Sequence, residues 1–146
     1  MNIRRASPSD CAALAALDAV CNPSAWTQRQ FEPALVSPSE QVFLAEKDGR
    51  LAAFIVWQNL PDESELHLIA TAPECRRQGI ASALLRHWFA NLPEGTQRLL
   101  LEVRAGNIGA QALYAAHGFT DAGRRKNYYR TADGKTEDAV LMEKIC

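Results

Sequence analysis

The sequence predicts an α/β domain: one mixed α+β sheet with helices on both faces, in the order βααβββαβαββ, as a single domain over residues 1–146. Three observations carry that prediction. Two β-rich runs are joined by turn chemistry at Lys47-Asp48-Gly49-Arg50, two segments repeat apolar residues at helical spacing, and a short apolar run from Leu99 to Val103 lies between those helices.

Taken in order, Ile3-Arg4-Arg5 is a short strand, and Ser7-Pro8-Ser9-Asp10 supplies a cap hydroxyl, a first-turn proline and an acid for a helix to about Val20. Leu14, Leu17 and Val20 or Cys21 give that helix its expected apolar face, and Asn22-Pro23-Ser24 ends it. Thr27 caps a second helix, made irregular by Pro33, with Trp26 and Phe31 placed as a hydrophobic staple. Gln41–Glu46 and Leu51–Asn59 form the hairpin, and Glu65–Thr71 adds a third strand that Pro73 stops.

Gly79 to Leu92 is the next helix, with Leu84, Leu85 and Trp88 on its apolar face and Pro93-Glu94-Gly95 closing it. Leu99–Val103 has the pattern of a strand covered on both faces. Asn107 to His117 follows as a helix carrying Ile108, Ala112, Leu113 and Tyr114, with Gly118 just past its end. Phe119–Tyr129, a turn at Ala132-Asp133-Gly134, and Glu137–Ile145 complete a closing hairpin.

Composition narrows the function classes. With 16 Lys+Arg against 17 Asp+Glu, the net charge of −1 gives no global field for nucleic acid or an anionic membrane, so direct nucleic-acid binding is not expected. No apolar run is long enough to span a membrane and the N-terminus lacks signal-peptide features, so a cytoplasmic, monomeric protein is expected. Four cysteines, at 11, 21, 75 and 146, show neither zinc spacing nor a disulfide framework, and no metal site is expected.

The chemistry-bearing loop is Glu74-Cys75-Arg76-Arg77-Gln78-Gly79-Ile80-Ala81, between a strand and a helix N-terminus. Unpaired amides, the positive end of the helix dipole and a residue without a Cβ together suit an anion, and a pyrophosphate fits. Neither G-x-x-x-x-G-K-[ST] nor G-x-G-x-x-G is present, which excludes the two familiar nucleotide loops. A solvated basic turn is the competing reading.

Arg76-Arg77-Gln78-Gly79-Ile80-Ala81 resembles the acetyl-CoA loop, Arg/Gln-x-x-Gly-x-Gly/Ala, of the GCN5-related N-acetyltransferase superfamily, and the order of elements is similar over nearly the whole chain. The resemblance implies that Arg76, Arg77, Gln78, Gly79, Ile80, Ala81 and Ser82 hold the pyrophosphate. It also implies that Ile69, Ala70 and Thr71 bond the pantetheine arm and that Asn107 contacts the donor. Glu102-Val103-Arg104-Ala105-Gly106-Asn107, Ala112-Leu113-Tyr114 and Arg125-Lys126-Asn127-Tyr128-Tyr129 are similar to the bacterial ribosomal-protein-alanine N-acetyltransferases, as are Trp26-Thr27 and Phe31. Ala25 and Ala81 depart from that pattern, where proline and glycine are common. The implied partner is the N-terminal segment of the eighteenth protein of the small ribosomal subunit.

Transfer from a thioester to an amine needs a neutral amine and a protonated leaving thiolate. Glu102 interrupts an apolar strand, where a carboxylate is costly unless paired or wet, and it is the candidate general base. The competing reading pairs it with Arg104 or another cation. Tyr114, about two turns into its helix, is the candidate acid that reprotonates the thiolate; a buried core tyrosine is the alternative. At pH 7.5 an α-amine of pKa near 8 is about a quarter neutral and a lysine only about 0.1%, which favours an N-terminal acceptor.

An acidic groove from Asp62, Glu63 and Glu65 is expected to receive a basic peptide, with Tyr128 and Tyr129 bordering its channel or packing in the strand. His67, His87 and His117 are scattered and form no catalytic pair, Cys75 lacks a partner for an acyl-cysteine route, and Arg124-Arg125-Lys126 is read as a solvated strand end, with contact to ribosome or RNA as the alternative. Two other functions stay open: acetylation of a small-molecule amine, and non-catalytic coenzyme A binding.

Overall fold

In the computed structural model, residues 1–131 and 133–146 are described. β1 (Asn2–Arg5), α1 (Cys11–Cys21), α2 (Gln28–Val36), β2 (Glu40–Lys47), β3 (Arg50–Asn59), β4 (Glu63–Thr71), α3 (Ile80–Ala90), β5 (Arg98–Arg104), α4 (Ile108–Ala116), β6 (Thr120–Arg130) and β7 (Thr136–Ile145) reproduce the expected order. Short 3₁₀ turns at Pro8–Asp10 and Pro73–Cys75 precede α1 and the loop before α3. Proline suits the first position of each, because the missing N–H would have no partner there. Of the expected turn at Ala132-Asp133-Gly134, Ala132 lies outside the described residues.

The sheet has seven strands in the order β1-β2-β3-β4-β5-β7-β6, antiparallel throughout except for β4 against β5. The first hairpin closes with Asp48 at φ 54° and Gly49 at φ 74°, the pair of left-handed residues a two-residue primed turn requires. Helices cover both faces. Leu14 of α1 and Phe31 and Ala34 of α2 pack with Val42, Leu44, Phe54 and Val56; Leu84, Leu85 and Trp88 of α3 and Tyr114 of α4 pack with Ile55, Trp57, Leu99, Leu101 and Val103. Each such large side chain, fully buried, contributes about 1.5–3 kcal/mol. Trp26 meets Phe31 edge-on at 5.2 Å, forming the expected staple ahead of α2.

Three details differ from the sequence reading. Val20 is 66% exposed and Cys21, its alternative, packs against the core, while α1 also carries a fully buried Asp18. Its Oδ2 accepts from Trp26 N–H at 2.8 Å and its Oδ1 from Asn22 Nδ2, so the carboxylate caps the turn between α1 and α2 and replaces an apolar contact. Ile108 is 68% exposed because it opens α4 on the solvent side, leaving Tyr114 as that helix's buried residue. β5 alternates buried Leu99, Leu101 and Val103 with half-buried Leu100 and Glu102, so one of its faces is only partly covered.

Two irregularities place the site. Val56 faces Leu68 while Trp57 faces Leu66, so His67 is an extra residue on β4. Such a bulge bends its strand. β4 and β5 pair only at Glu63↔Arg98, Ser64↔Leu99 and Glu65↔Leu100, although β4 continues to Thr71 and β5 to Arg104. Beyond Glu65 the two strands splay, and the sheet opens into a groove.

Candidate active site

The groove has a volume of about 1070 Å³ and is walled by β4 from Leu66 to Thr71, by β5 from Glu102 to Arg104, and by the starts of α3 and α4. With no strand against it, the β5-facing edge of β4 offers main-chain groups to a ligand. Ile69, Ala70 and Thr71, chosen from sequence, all line it.

One end is cationic. Arg76, Arg77, Gly79, Ile80, Ala81 and Ser82 line it, whereas Gln78 is exposed and accepts from Lys47 Nζ through its Oε1. Arg77 at φ 62° and Gly79 at φ 77° turn the loop through left-handed conformations. The helix's own bonding starts with Ala83 N–H donating to Gly79 C=O at 3.0 Å, which places the Ile80, Ala81 and Ser82 amides ahead of the first intrahelical bond. A Cβ on Gly79 would meet nothing within 4 Å, so the space beside it is open. Arg76 Nε and Cys21 Sγ both donate to Thr71 C=O, at 3.3 and 3.4 Å, fixing the loop to the end of β4 and to α1. Ser82 Oγ shares a hydrogen bond with His117 Nε2 at 3.0 Å, and burial together with Arg86 and Lys144 keeps that imidazole's pKa low. Main-chain amides, a helix N-terminus and two guanidiniums fit a diphosphate.

The other end is acidic and aromatic. Glu102 on β5, Tyr114 on α4, Tyr129 on β6 and Glu137 on β7 line it together, so the sheet assembles four elements around one point. Glu102 pairs with Arg125, Nε to Oε1 at 3.3 Å, and not with Arg104. Burial pushes the Tyr114 phenol well above its usual range, with a further contribution from Tyr129, so Tyr114 stays protonated at any working pH. Tyr129 is raised chiefly by burial and then by Glu102. Glu137 Oε2 accepts from Gly106 N–H at 2.7 Å, and a Cβ on Gly106 would make the Glu137 carboxylate shift. Asn107 caps α4, its Oδ1 accepting from Ala110 N–H at 3.2 Å, and still lines the groove.

The acids expected from sequence lie elsewhere. Asp62 and Glu63 sit where β4 and β5 are still paired, Glu63 is bridged to Arg98 at 2.6 Å, and neither they nor Glu65 line the groove. Residues on a strand's paired end cannot reach an opening that begins beyond it. Tyr129 reaches the groove and Tyr128 does not; it is half-exposed under Arg125. Arg125, Arg104 and Glu137 were not singled out as site residues from sequence. Gly106 next to Asn107 was the available signal for Glu137, since a glycine there marks a close approach. No group of three His, Cys, Asp or Glu residues that could hold a metal occurs among the described residues. No helix among them is long and apolar enough to cross a membrane.

Comparison with known proteins agrees with this fold. The chain is 46% identical over 101 residues to the ribosomal protein bS18-alanine N-acetyltransferase of Escherichia coli K12, covering 68% of each chain. It is 38% identical over 121 residues to a protein of Bacillus subtilis described as a putative enzyme of that kind, covering 82% of this chain and 78% of that one. The crystal structure of the ribosomal-protein-S18-alanine N-acetyltransferase from Escherichia coli superposes with a TM-score of 0.90 at 35% identity, over 99% of this chain and 92% of that one. The acetyltransferase (GNAT) family matches residues 11–119, which run from the start of α1 to Phe119 just past α4 and include every groove-lining residue except Tyr129 and Glu137. The chain therefore belongs to the acetyltransferase (GNAT) family and is an N-acetyltransferase.

Proposed function

We propose that this protein acetylates the N-terminal alanine of a small-subunit ribosomal protein, bS18 or its equivalent, with acetyl-CoA as donor and residues 1–146 acting as a single catalytic domain. The observation that carries the reading is the groove itself, lined by Arg76, Arg77 and the start of α3 and also by Glu102 and Tyr114. The names of the relatives that share most of the chain support the choice of acceptor.

Acetyl-CoA supplies an activated acetyl thioester. Arg76, Arg77 and the Gly79–Ser82 amides hold its diphosphate, and the free edge of β4 at Ile69, Ala70 and Thr71 aligns the arm along the groove. Asn107 contributes from the start of α4. Glu102 takes the proton from the acceptor ammonium, directly or through water, and frees the nitrogen lone pair. Tyr114 donates its phenolic proton to the departing sulfur. In bulk water that proton would move uphill from a phenol near pKa 10 to a thiolate near 8.5. A groove that raises the phenol by burial also disfavours a bare thiolate, so the two rise together.

The test is acetylation of a six-residue peptide beginning with alanine, compared with a serine-first analogue and an amine-blocked analogue carrying a lysine. Alanine-first peptide modified at its α-amine is the expected result. Exclusive modification of lysine, or of polyamines in place of peptides, overturns the acceptor assignment.

A further inference from the structure

Arg125 is the cation that Glu102 already holds. Its Nε lies 3.3 Å from Oε1 of Glu102, a carboxylate that lines the groove, while Arg125 itself reaches that carboxylate from outside the lining. The strand is built to put it there. β6 pairs Arg125 with Ala139 and Tyr129 with Glu137, so three residues on β6 face one, Asp138, on β7. Asn127 takes up the slack at φ 54°, a left-handed conformation asparagine tolerates better than most residues. That turn is fixed twice: Asn127 N–H donates to Asp138 Oδ1 at 3.0 Å, and Thr136 Oγ1 donates to Asn127 Oδ1 at 2.8 Å. The bulge brings Tyr128 beneath Arg125, with the guanidinium 5.2 Å from the ring centre. The guanidinium therefore has two partners, the Glu102 carboxylate and an aromatic face near solvent.

We propose that Arg125 is a place-holder, a positioning residue whose guanidinium occupies the acceptor-ammonium position at Glu102, so that an acceptor enters by exchanging one cation for another. The inference rests on the reading of Glu102 as the group that meets the amine. Its energetics follow from exposure: the Arg125 side chain is over half exposed, and an ion pair of that kind is weak enough to open without a large penalty. The exchange keeps the charge at Glu102 balanced before and after, so a protonated amine replaces what it displaces. A neutral or anionic head group would have to open the pair and leave the carboxylate without a cation. The acceptor is thus selected as its ammonium form, and Glu102 removes the proton only after the exchange.

The experiment is steady-state kinetics of Arg125→Ala and Arg125→Lys with an alanine-first peptide and saturating acetyl-CoA, alongside Glu102→Gln and thermal melts of each. Removing the competitor should lower the peptide KM of Arg125→Ala about two- to fivefold, the range an exposed pair allows, with a smaller change in kcat. Arg125→Lys should lie between it and the wild type. Millimolar methylguanidinium should refill the vacated place, raising the peptide KM of Arg125→Ala while leaving the wild type nearly unaffected. A peptide KM that is unchanged or higher in a variant that melts normally overturns the proposal, as does equal inhibition of both proteins by methylguanidinium. If Glu102→Gln turns over like the wild type, the base assignment fails and this inference fails with it. If Glu102→Gln is crippled while Arg125→Ala keeps its KM, only the place-holder is refuted.

Discussion

The two ends of the groove are made by different means. The cationic end is a backbone device, a turn with two left-handed residues feeding a helix N-terminus within the contiguous stretch 71–82. The acidic end is a side-chain device. Glu102, Tyr114, Arg125, Tyr129 and Glu137 arrive from four elements and meet only because β5, β7 and β6 lie side by side with α4 packed on the sheet. A backbone device tolerates side-chain change and depends on conformation; a side-chain device does the reverse. Substitutions at the two ends should therefore fail in different kinetic parameters.

The largest effect is expected at the acidic end. Glu102→Gln keeps size and hydrogen bonding but removes the base, and kcat should fall about 10²- to 10⁴-fold. Calorimetric affinity for acetyl-CoA should stay within twofold, because no part of the anion cradle changes. Tyr114→Phe should lower kcat about 100-fold, again with donor affinity intact. Its ring is buried against Phe119, with centroids 6.1 Å apart, so losing the hydroxyl leaves the packing in place. Loss of donor binding in either variant would mean that the two ends are not separable.

A smaller, opposite signature is expected at the cationic end. Gly79 sits at φ 77° with free space around it, so Gly79→Ala meets no clash and is penalised only for its conformation. A left-handed alanine costs about 1–2 kcal/mol, which corresponds to a donor KM raised about 5- to 30-fold with kcat little altered. Gly79→Asn should recover part of that loss, since asparagine visits this region more readily. If Asn and Ala are equally impaired, the cradle depends on room at Gly79 and not on backbone conformation, and the contrast between the two ends dissolves.

The same contrast explains what could be read from the sequence. The Arg76–Ala81 loop, the Asp48-Gly49 turn and the Asn107 cap are local features, and each is where its residues placed it. Glu102 was legible as an acid in an apolar strand, and its position on the groove wall agrees with that reading. The neighbours of Glu102 were not legible. Arg125 lies 23 residues away on a strand that reaches β5 only through β7, and the bulge at 126–128 beside it depends on Asp138 and Thr136. Asp62, Glu63 and Glu65 misled for a related reason: their proximity in sequence to the groove strand says nothing about where the strands part. The extra residue at His67, which helps that parting, carries no turn residue to announce it.

Asp18 gives the smallest effect, one confined to stability. Helical spacing assigns the inner face of α1 to apolar residues, yet the position is held by a fully buried carboxylate with Trp26 N–H and Asn22 Nδ2 as donors. Asp18→Asn can accept only one of those bonds and turns an amide N–H toward the other donor, at a cost of about 1–3 kcal/mol. Turnover per folded molecule should not change, because Asp18 does not line the groove. Burial raises the Asp18 pKa above its unfolded value, and this outweighs the two hydrogen bonds that favour the ionised form. The folded state thus binds the proton more tightly than the unfolded one, so wild-type stability falls as pH rises from the unfolded carboxylate range toward the raised folded value. The variant lacks that titration. Melting curves at pH 4 and pH 7 should therefore show the gap between wild type and Asp18→Asn narrowing as pH increases. A gap that widens would mean that the bonds from Trp26 and Asn22 outweigh desolvation, making Asp18 a net stabiliser in its charged form.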